Sequence, residues 1–317
     1  MEKNKKTTET LVRFMTHIID RLRANGQHQT MLHYRATLNS FLRFTRQRDI
    51  ALTMLNADTL LAYEAYLRHQ VKVCRNTSSF YLRILRSVYN QAVAQGHVVQ
   101  QYPFRHVYTG IDKTRKRAIT LPDIRRIKHC NLRLSPSQEL SRDMFLMSFL
   151  LRGMSFVDMA HLRKANLHDG YLHYVRSKTG QLLKIKWQKE MQEIVDKYRH
   201  LTAPTDYLLP LLTEKPVNKW SRRDAPPAIT HQHLCHNAAS RLSYHLKMLG
   251  EKTGVSGKLT LYVARHTWAT VARDHGIPIS VISEALGHDS EHTTQIYLRS
   301  IRTAEVDQAN AEIIAAL

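Results

Sequence analysis

Acidic residues are scarce in this chain of 317 residues, where 26 Asp and Glu stand against 47 Lys and Arg and leave a formal net charge of +21. This shortage argues against an acidic solvating chain and indicates a polyanionic partner, with nucleic acid ahead of an anionic membrane. The basic excess is spread along the chain, because residues 1–118 hold 20 basic and 7 acidic side chains and residues 119–317 hold 27 and 19. We therefore expect both halves to meet a phosphate backbone.

Cysteine and long apolar runs are also rare. The three cysteines, Cys74, Cys130 and Cys235, lie far apart, which argues against a disulfide scaffold and favours a reducing compartment. The longest dense apolar run, from Met144 to Leu151, is far too short to span a bilayer. No apolar stretch follows the first lysines, which excludes a secretory signal. We expect a cytoplasmic protein without a membrane segment.

The first third of the chain has a helical pattern. Apolar residues recur at spacings of three and four up to about residue 98, and no convincing strand occurs. Four helices are predicted, at about residues 11–25, 32–44, 57–70 and 77–95. We interpret residues 1–100 as a small four-helix domain. Residues 101–118 combine turn formers with a basic run and are predicted to be a linker that follows DNA.

The rest of the chain mixes helical and strand patterns. Ser135, Pro136 and Gln138 form the pattern of a capped helix start. Two strand-like runs, 171–178 and 181–187, are joined by Thr179-Gly180, which predicts a two-residue hairpin turn. Further helices are predicted at about residues 230–249, 262–275, 279–287, 291–298 and 303–317. The predicted fold is mainly α with a small β-sheet, with an α+β domain over residues 119–302 and a separate last helix.

Three segments carry residue types suited to phosphate chemistry. They are residues 151–158, residues 177–180 with the sequence Ser-Lys-Thr-Gly, and residues 262–267 together with Leu286-Gly287-His288 and Tyr297. In this order they resemble the tyrosine recombinase (phage integrase) family, above all in the spacing from His288 to Tyr297. The resemblance covers nearly the whole chain, because residues 7–98 are similar to the family's SAM-like core-binding domain. The pattern is most similar to recombinases of Bacteroidales mobile elements and invertible promoters.

The chemistry explains why these residue types belong together. Breaking and resealing a phosphodiester without an energy cofactor requires covalent storage of the bond, which a tyrosine oxygen attacking phosphorus provides. Tyrosine has a pKa of about 10, so it must lose its proton as it attacks, and fixed donors must neutralise the charge that grows on phosphorus. Arginine grips two phosphate oxygens at once. A lysine or histidine that protonates the leaving 5′ oxygen contributes roughly 10²–10⁴-fold.

The resemblance assigns these roles residue by residue. It makes Arg265 the second catalytic arginine, and it makes Tyr297 the nucleophile, His288 the phosphate-contacting histidine and Lys178 the general acid. Lys184 and Lys186, on the returning strand, compete with Lys178 for the last role. His288 has a structural alternative, because a cation is also favourable at a helix C-terminus.

One departure from the family concerns the first catalytic arginine. In the family it lies seven residues before the leucine found here at Leu162, and Ser155 stands in that place. Arg152, three residues earlier, is assigned the role because a helical backbone would put it one turn away. The alternatives are that this arginine is missing, and that Ser155 instead caps the following helix with Asp158.

A second departure concerns the proton of the nucleophile. Tyr262 stands three residues before Arg265, where a histidine or lysine is usual. His266 is adjacent but would point about 100° away around a helix. The proton acceptor for Tyr297 is therefore not accounted for.

The resemblance also implies partners. They are double-stranded DNA with specific recombination sites and other copies of the chain, assembled on DNA as a tetramer, with no cofactor and no membrane. The predicted DNA contacts are Arg75, Asn76, Thr77, Arg83, Arg86, Lys113, Arg115, Lys116 and Arg117. Because the family passes a C-terminal segment to the next subunit, residues 303–317 are predicted to dock on a neighbour, with packing in cis as the alternative. The chain has no room before its first helix for the arm-binding domain of many integrases, which favours inversion or resolution.

Four possible zinc ligands crowd one segment, namely His231, His233, Cys235 and His236. No second pair of ligands stands at a recognised spacing, so a helix face with polar histidines is the better interpretation. We predict no metal site.

Two functions of different classes fit these patterns. The first is a site-specific recombinase that cleaves and rejoins DNA through a 3′-phosphotyrosyl intermediate, for integration, inversion or resolution. The second is a non-catalytic DNA-binding regulator, because residues 265–298 resemble a helix-turn-helix with its turn at Gly276-Ile277-Pro278. A regulator needs neither Lys178 nor the spacing from His288 to Tyr297, so the enzyme is favoured.

Overall fold

The computed structural model describes residues 9–112, 118–130, 132–212, 231–255, 257–298 and 314. The chain divides into two compact units, Met1–Thr114 and Arg115–Leu317. The described part is mainly helical with one small sheet, as the sequence predicts. None of its helices is long and apolar enough to cross a membrane.

The first unit is a four-helix domain. Its helices are α1 (Leu11–Ala24), α2 (His28–Phe44), α3 (Ala57–Ala65) and α4 (Arg75–Ala94), with a π-helical turn over Tyr66–Gln70 and 3-10 turns at Leu52–Met54 and Pro103–His106. The side chains of Thr10 and Asn56 accept backbone N–H groups and cap α1 and α3. The core is rich in aromatic rings, since the fully buried Tyr63 packs edge-on against Phe41 with 4.9 Å between ring centroids.

The second unit is built around one buried helix. Its helices are α5 (Leu121–Lys128), α6 (Pro136–Leu150), α7 (Phe156–Ala160), α8 (Lys189–Lys197), α9 (Arg199–Thr202), α10 (His231–Thr253), α11 (Leu261–Asp274), α12 (Ile279–Leu286) and α13 (Glu291–Leu298), with a 3-10 turn at Lys164–Asn166. Helix α6 contacts α5, α8, α10 and α11, and its Met144, Phe145 and Met147 are completely buried. Ser135 and Gln138 form the predicted capping box at its start. The sequence patterns missed α5, α8 and α9.

The sheet has three antiparallel strands in the order β1 (Leu167–His168), β2 (Tyr171–Val175) and β3 (Leu182–Lys186). The β2–β3 ladder ends with Val175 opposite Leu182, and beyond it the Arg176 N–H donates to the Gln181 carbonyl at 2.9 Å. Residues 177–180 form the tip. The predicted two-residue turn at Thr179-Gly180 is therefore wrong, because the hairpin closes two residues earlier on the first strand.

Two predicted segments lie outside the described residues. They are the basic run Lys113, Arg115, Lys116 and Arg117, and the last helix, residues 303–317, of which only Ile314 is described and is helical.

Candidate active site

Arg265 is buried on α11 and binds three groups among the described residues. Its guanidinium donates to the Gly153 carbonyl at 3.1 Å, to the Leu286 carbonyl at 2.5 Å and to His288 Nε2 at 3.0 Å. Gly153 makes this approach possible, because a Cβ there would lie 2.3 Å from the Arg265 Cα. Gly153 also has φ +73°, a conformation that glycine adopts without steric penalty. The turn after α6 and the end of α12 therefore meet at Arg265.

His288 follows the C-terminal end of α12. Gly287 has φ +64° and ends the helix, and the His288 N–H donates to the Ser283 carbonyl at 3.0 Å. The ring bridges two elements, with Nε2 on Arg265 and Nδ1 2.8 Å from Thr294 Oγ1 of α13. Arginine can only donate, so Nε2 accepts and the ring proton lies on Nδ1, toward Thr294.

The charge state of His288 follows from its surroundings. Burial lowers its pKa to about 4, with further lowering from the positive charges of Arg265, Arg176 and Lys178. His288 is therefore neutral near neutral pH. The structural alternative of a cationic helix cap does not hold for this ring.

Arg176 is a member of the site that the sequence patterns missed. Its side chain is 8% exposed and donates through Nη1 to the Gly287 carbonyl. A Cβ on Gly287 would lie 3.0 Å from Arg176 Cδ, so the hairpin and the end of α12 are in close contact. The signal in the sequence is alternation, because Leu172 and Tyr174 face inward in β2 and Arg176, one residue past its end, continues the pattern.

Lys178 lies exposed at the hairpin tip, near enough to His288 to lower its pKa. The buried Asp158 of α7 binds the tip, because its Oδ1 accepts the Ser177 N–H at 2.9 Å. Lys184 and Lys186 lie on the face of β3 opposite the buried Leu183 and Ile185.

The Ser155 position is structural. Ser155 accepts the Asp158 N–H at 3.2 Å and caps α7, and its hydroxyl donates to Asp158 Oδ2 at 2.8 Å. The backbone before it is not helical, since Arg152 has φ +58° in the turn that ends α6. The assumption that Arg152 lies one helical turn from Ser155 is therefore wrong.

Arg152 nevertheless belongs to the same cluster of cations. Burial raises the pKa of Tyr174 to about 12, as does the charge of Asp158, while Arg265, Arg176 and Arg152 oppose the rise. Three arginines from three segments of the chain thus lie close enough to Tyr174 to act on its charge. Such a concentration of fixed positive charge suits the binding of a phosphate group.

The two tyrosines of the motif lie on different helices. Tyr297 lies on α13, one turn after Thr294, and its side chain is outside the described residues. Tyr262 is 53% exposed at the start of α11, with its ring edge-on to His266 at 4.4 Å between centroids.

The predicted DNA contacts of the first unit are partly engaged within it. Asn76 forms a pair of hydrogen bonds with the backbone of Asp112, at 2.7 and 3.0 Å. The Arg75 guanidinium stacks 3.7 Å from the centroid of the Tyr108 ring, and Arg86 donates to Thr109 at 2.9 Å. The other two predicted contacts of this unit are Thr77 and Arg83. Thr77 Oγ1 lies 3.1 Å from the thiol of Cys74, whereas Arg83 Nε is buried with no partner among the described residues.

The histidine cluster on α10 shows no metal geometry in the described part of the chain. The side chains of His231 and His233 lie outside the described residues, and Cys235 Sγ is 3.9 Å from His161 Nε2. No group of three potential metal ligands occurs among the described residues.

Comparison with known proteins gives matches over both units. Residues 10–107 match the family model "Phage integrase SAM-like domain", and residues 123–303 match "Phage integrase family". Tyrosine recombinase XerC of Leptospira interrogans is 23% identical over 297 residues, which cover 92% of this chain and 88% of the relative.

Two solved structures share the fold. A lambda integrase tetramer bound to a Holliday junction aligns with a TM-score of 0.67 at 16% identity, covering 92% of this chain and 78% of that one. The Tn1549 transposon integrase in complex with a circular intermediate DNA aligns with a TM-score of 0.64 at 14% identity, covering 95% and 99%.

The fold and the site together define a class of protein. A helical SAM-like unit is followed by a unit that brings arginines, a lysine and a histidine together, as in enzymes that transfer DNA strands by means of a tyrosine. The match over residues 123–303 spans more than half of the chain, and the chain belongs to the phage integrase family, the tyrosine recombinases. It is a tyrosine-type site-specific DNA recombinase, and the non-catalytic regulator is not favoured.

Proposed function

We propose that this recombinase cleaves and reseals double-stranded DNA at specific sites through a 3′-phosphotyrosyl bond formed at Tyr297. The observation that carries the proposal is the cluster at the end of α12. There Arg265 and Arg176 donate to the consecutive carbonyls of Leu286 and Gly287, with His288 next in the chain. Two buried guanidinium groups aimed at neighbouring oxygens are suited to the two non-bridging oxygens of a phosphodiester.

The roles follow from the charges and positions of the side chains. Arg265 holds the scissile phosphate and stabilises the charge that develops on it. Lys178, exposed at the hairpin tip, protonates the leaving 5′ oxygen. Arg152 is the first arginine according to the sequence. Arg176 is a second candidate for that role, supported by its burial and by its contact with Gly287.

Self-association on DNA is part of the proposal. One similar structure is a tetramer on a Holliday junction, and exchange of strands between two sites requires two cleaving subunits at each site. We extend the tetramer to this chain, with residues 303–317 docked on a neighbouring protomer.

The biological setting is proposed from the sequence resemblance. The pattern of motifs supports a recombinase of Bacteroidales mobile elements or invertible promoters, acting by inversion, resolution or integration. Because the substrate is cellular DNA, we place the enzyme in the cytoplasm.

Two experiments in sequence test the activity. The protein is first incubated with fragmented genomic DNA of its source, covalent adducts are trapped under denaturing conditions, and the attached ends are sequenced to define the site. A nicked suicide duplex of that site is then incubated with the purified protein. Wild type should give a covalent adduct on a denaturing gel.

The matched variants are Tyr297→Phe and Tyr262→Phe, which remove one hydroxyl each. Tyr297→Phe should bind DNA normally and form no adduct, and Tyr262→Phe should form a normal yield. An adduct of normal yield from Tyr297→Phe would remove Tyr297 from the nucleophile role. Wild-type protein that binds the genomic fragments and yields no covalent adduct with any of them would contradict the enzyme.

A further inference from the structure

The nucleophile lacks an evident proton acceptor. A phenol with a pKa of about 10 must lose its proton during attack. The position three residues before Arg265 is occupied by Tyr262, and a phenol hydroxyl is a poorer proton acceptor than an imidazole. Arginine and protonated lysine carry only donors, so Arg152, Arg176, Lys178 and Arg265 cannot take this proton during cleavage.

Two described side chains of the cluster have lone pairs that suit a base, Asp158 and His288. Both carboxylate oxygens of Asp158 are engaged, with Ser177 N–H on one and Ser155 Oγ on the other. These bonds hold α7 to the hairpin, and Asp158 is 6% exposed. Asp158 therefore serves the structure, which leaves His288.

The geometry of His288 gives it the right tautomer. Its Nδ1 proton is directed at Thr294 Oγ1, and its Nε2 lone pair accepts from Arg265. Thr294 is completely buried, so this hydroxyl has little freedom to release the ring. The lone pair thus points toward the arginine that the proposed function assigns to the phosphate.

The same contact joins His288 to the helix of the nucleophile. Thr294 lies on α13, the helix that also carries position 297. The hydroxyl that fixes the tautomer therefore also joins α13 to His288.

We propose that His288 is the proton acceptor for Tyr297 and that Thr294 is the positioning residue that holds its tautomer. This inference rests on the proposed function. It gives His288 a role other than the phosphate contact implied by the resemblance, and it fills the role left open by Tyr262.

The step balances in atoms and charge. When Arg265 turns its N–H to a phosphate oxygen, it releases the Nε2 lone pair. The Tyr297 oxygen then bonds to phosphorus as its proton passes to His288 Nε2, the bond from phosphorus to the 5′ oxygen breaks, and Lys178 protonates that oxygen. In resealing, the 5′ hydroxyl attacks phosphorus, returns its proton to Lys178, and His288 returns its own to the tyrosine oxygen.

The groups facing His288 make the acceptor tunable. Arg265 faces it from α11 and Arg176 and Lys178 from the hairpin, while Thr294 on α13 is neutral. These cations keep the ring neutral and ready to accept. A phosphate monoanion between them opposes their charge and raises the pKa of His288 toward its ordinary value of about 6.5, which strengthens the base when DNA is bound.

The test separates acid from base on the suicide duplex. His288→Ala should lower the cleavage rate by on the order of 10²–10⁴-fold. Replacing Tyr297 with a fluorinated tyrosine that ionises near neutral pH should restore most of that loss, because this phenol needs no base. The same replacement should not restore Lys178→Ala, which should instead recover on a substrate with sulfur in place of the leaving 5′ oxygen.

Thr294 is tested by the same readout. Thr294→Val should lower cleavage about tenfold and be relieved by the fluorinated tyrosine, since about 1.4 kcal/mol in a barrier is tenfold in rate. Thr294→Ser, which keeps the hydroxyl, should cleave nearly as wild type. A purely structural defect would not respond to the acidity of the nucleophile.

Two results would overturn the inference. The first is a cleavage defect of His288→Ala that the fluorinated tyrosine does not relieve. The second is a normal cleavage rate of His288→Ala on the sulfur substrate, which would make His288 a partner of the leaving group. Failure of the proposed function is distinct, because wild-type protein itself would then form no adduct.

Discussion

Gly153 is the residue at which an added side chain would collide with Arg265. Two costs oppose a side chain there. The left-handed conformation costs an L residue about 1–2 kcal/mol, and contact with Arg265 adds an overpacking cost of about 1–3 kcal/mol. The second effect would displace the Arg265 side chain from its position in the site.

We therefore expect Gly153→Ala to lower both the free energy of unfolding and the cleavage rate. Gly276→Ala is the matched control, because Gly276 has nearly the same φ, +72°, and a Cβ there would have no neighbour within 4 Å among the described residues. The control should lose about 1–2 kcal/mol and keep cleavage at permissive temperature. Denaturant unfolding and the adduct assay measure the two effects. Equal losses in both variants would show that only the backbone conformation matters.

Arg176 and Arg152 are the two candidates for the first catalytic arginine, and we expect their replacement to have different effects on cleavage. Because Arg176 is buried against Gly287, we expect Arg176→Ala to reduce cleavage as severely as Arg265→Ala, on the order of 10³–10⁵-fold by analogy with arginines in phosphoryl transfer. Arg152→Ala, which alters a half-buried side chain in a turn, should cost less. Single-turnover cleavage at saturating DNA checks this. An inactive Arg152→Ala beside a nearly active Arg176→Ala would assign the role to Arg152 alone.

At the scale of elements, the β2–β3 hairpin contacts two helices, α12 and α7. Arg176 and Gln181 lie against the end of α12 near Gly287, and Asp158 of α7 binds the tip through Ser177. These contacts determine where Lys178 can reach.

We expect Asp158→Ala to slow cleavage more than it weakens DNA binding. It leaves the Ser177 N–H without its partner, at a cost of about 1–3 kcal/mol, and frees the tip that carries Lys178. Asp158→Asn should recover most of the rate, because its amide oxygen can still accept from Ser177. Cleavage on the sulfur substrate, which needs no general acid, should be almost normal in Asp158→Ala. A defect of equal size on both substrates would refute the link to Lys178.

The helices and the sheet were predictable where one local signal dominates. The capping box at Ser135 and the alternation in β2 are such signals, and both elements are found. The hairpin tip was not predictable from Thr179-Gly180, because the end of the ladder is decided by Arg176, whose side chain packs on α12 more than a hundred residues away. Helix α8 was missed because its short amphipathic pattern follows directly on a strand.

The site was predictable in its motif residues and not in its geometry. Arg265 and His288 stand at the spacing of a known family, and they are in contact. The position of Arg152 was not predictable, because it depends on a left-handed residue that ends α6. The alternation that continues past β2 indicates that Arg176 faces inward, but it does not show that the side chain reaches the Gly287 carbonyl, which is 111 residues away in the chain.

At the scale of the whole molecule, the net charge of +21 favours binding to the DNA backbone. Each phosphate neutralised adds about 0.9 to the slope of log affinity against log salt. Replacing Lys113, Arg115, Lys116 and Arg117 together with alanine should lower that slope by about 3–4 if all four contact phosphates. Fluorescence anisotropy over a salt series measures it. An unchanged slope would show that this run does not follow the DNA.

Deleting residues 303–317 tests association between subunits. If this segment docks on a neighbour, the shortened chain should bind a single site normally and fail to pair two sites. Mobility-shift assays with one-site and two-site DNA separate these states. A lower unfolding temperature of the second unit would favour packing in cis. Normal pairing of two sites would refute the docking role.

The order of the site residues along the chain has a consequence for synthesis. Contacts that build the site join residues about 110 positions apart, as in Arg265 to Gly153 and Arg176 to Gly287, and Tyr297 comes after all of them. With the roles proposed above, a ribosome makes the phosphate-holding residues first and the nucleophile last. A chain interrupted anywhere before position 297 would then have cations for DNA and no nucleophile to cut it, so an unfinished product of translation would not break the genome that encodes it.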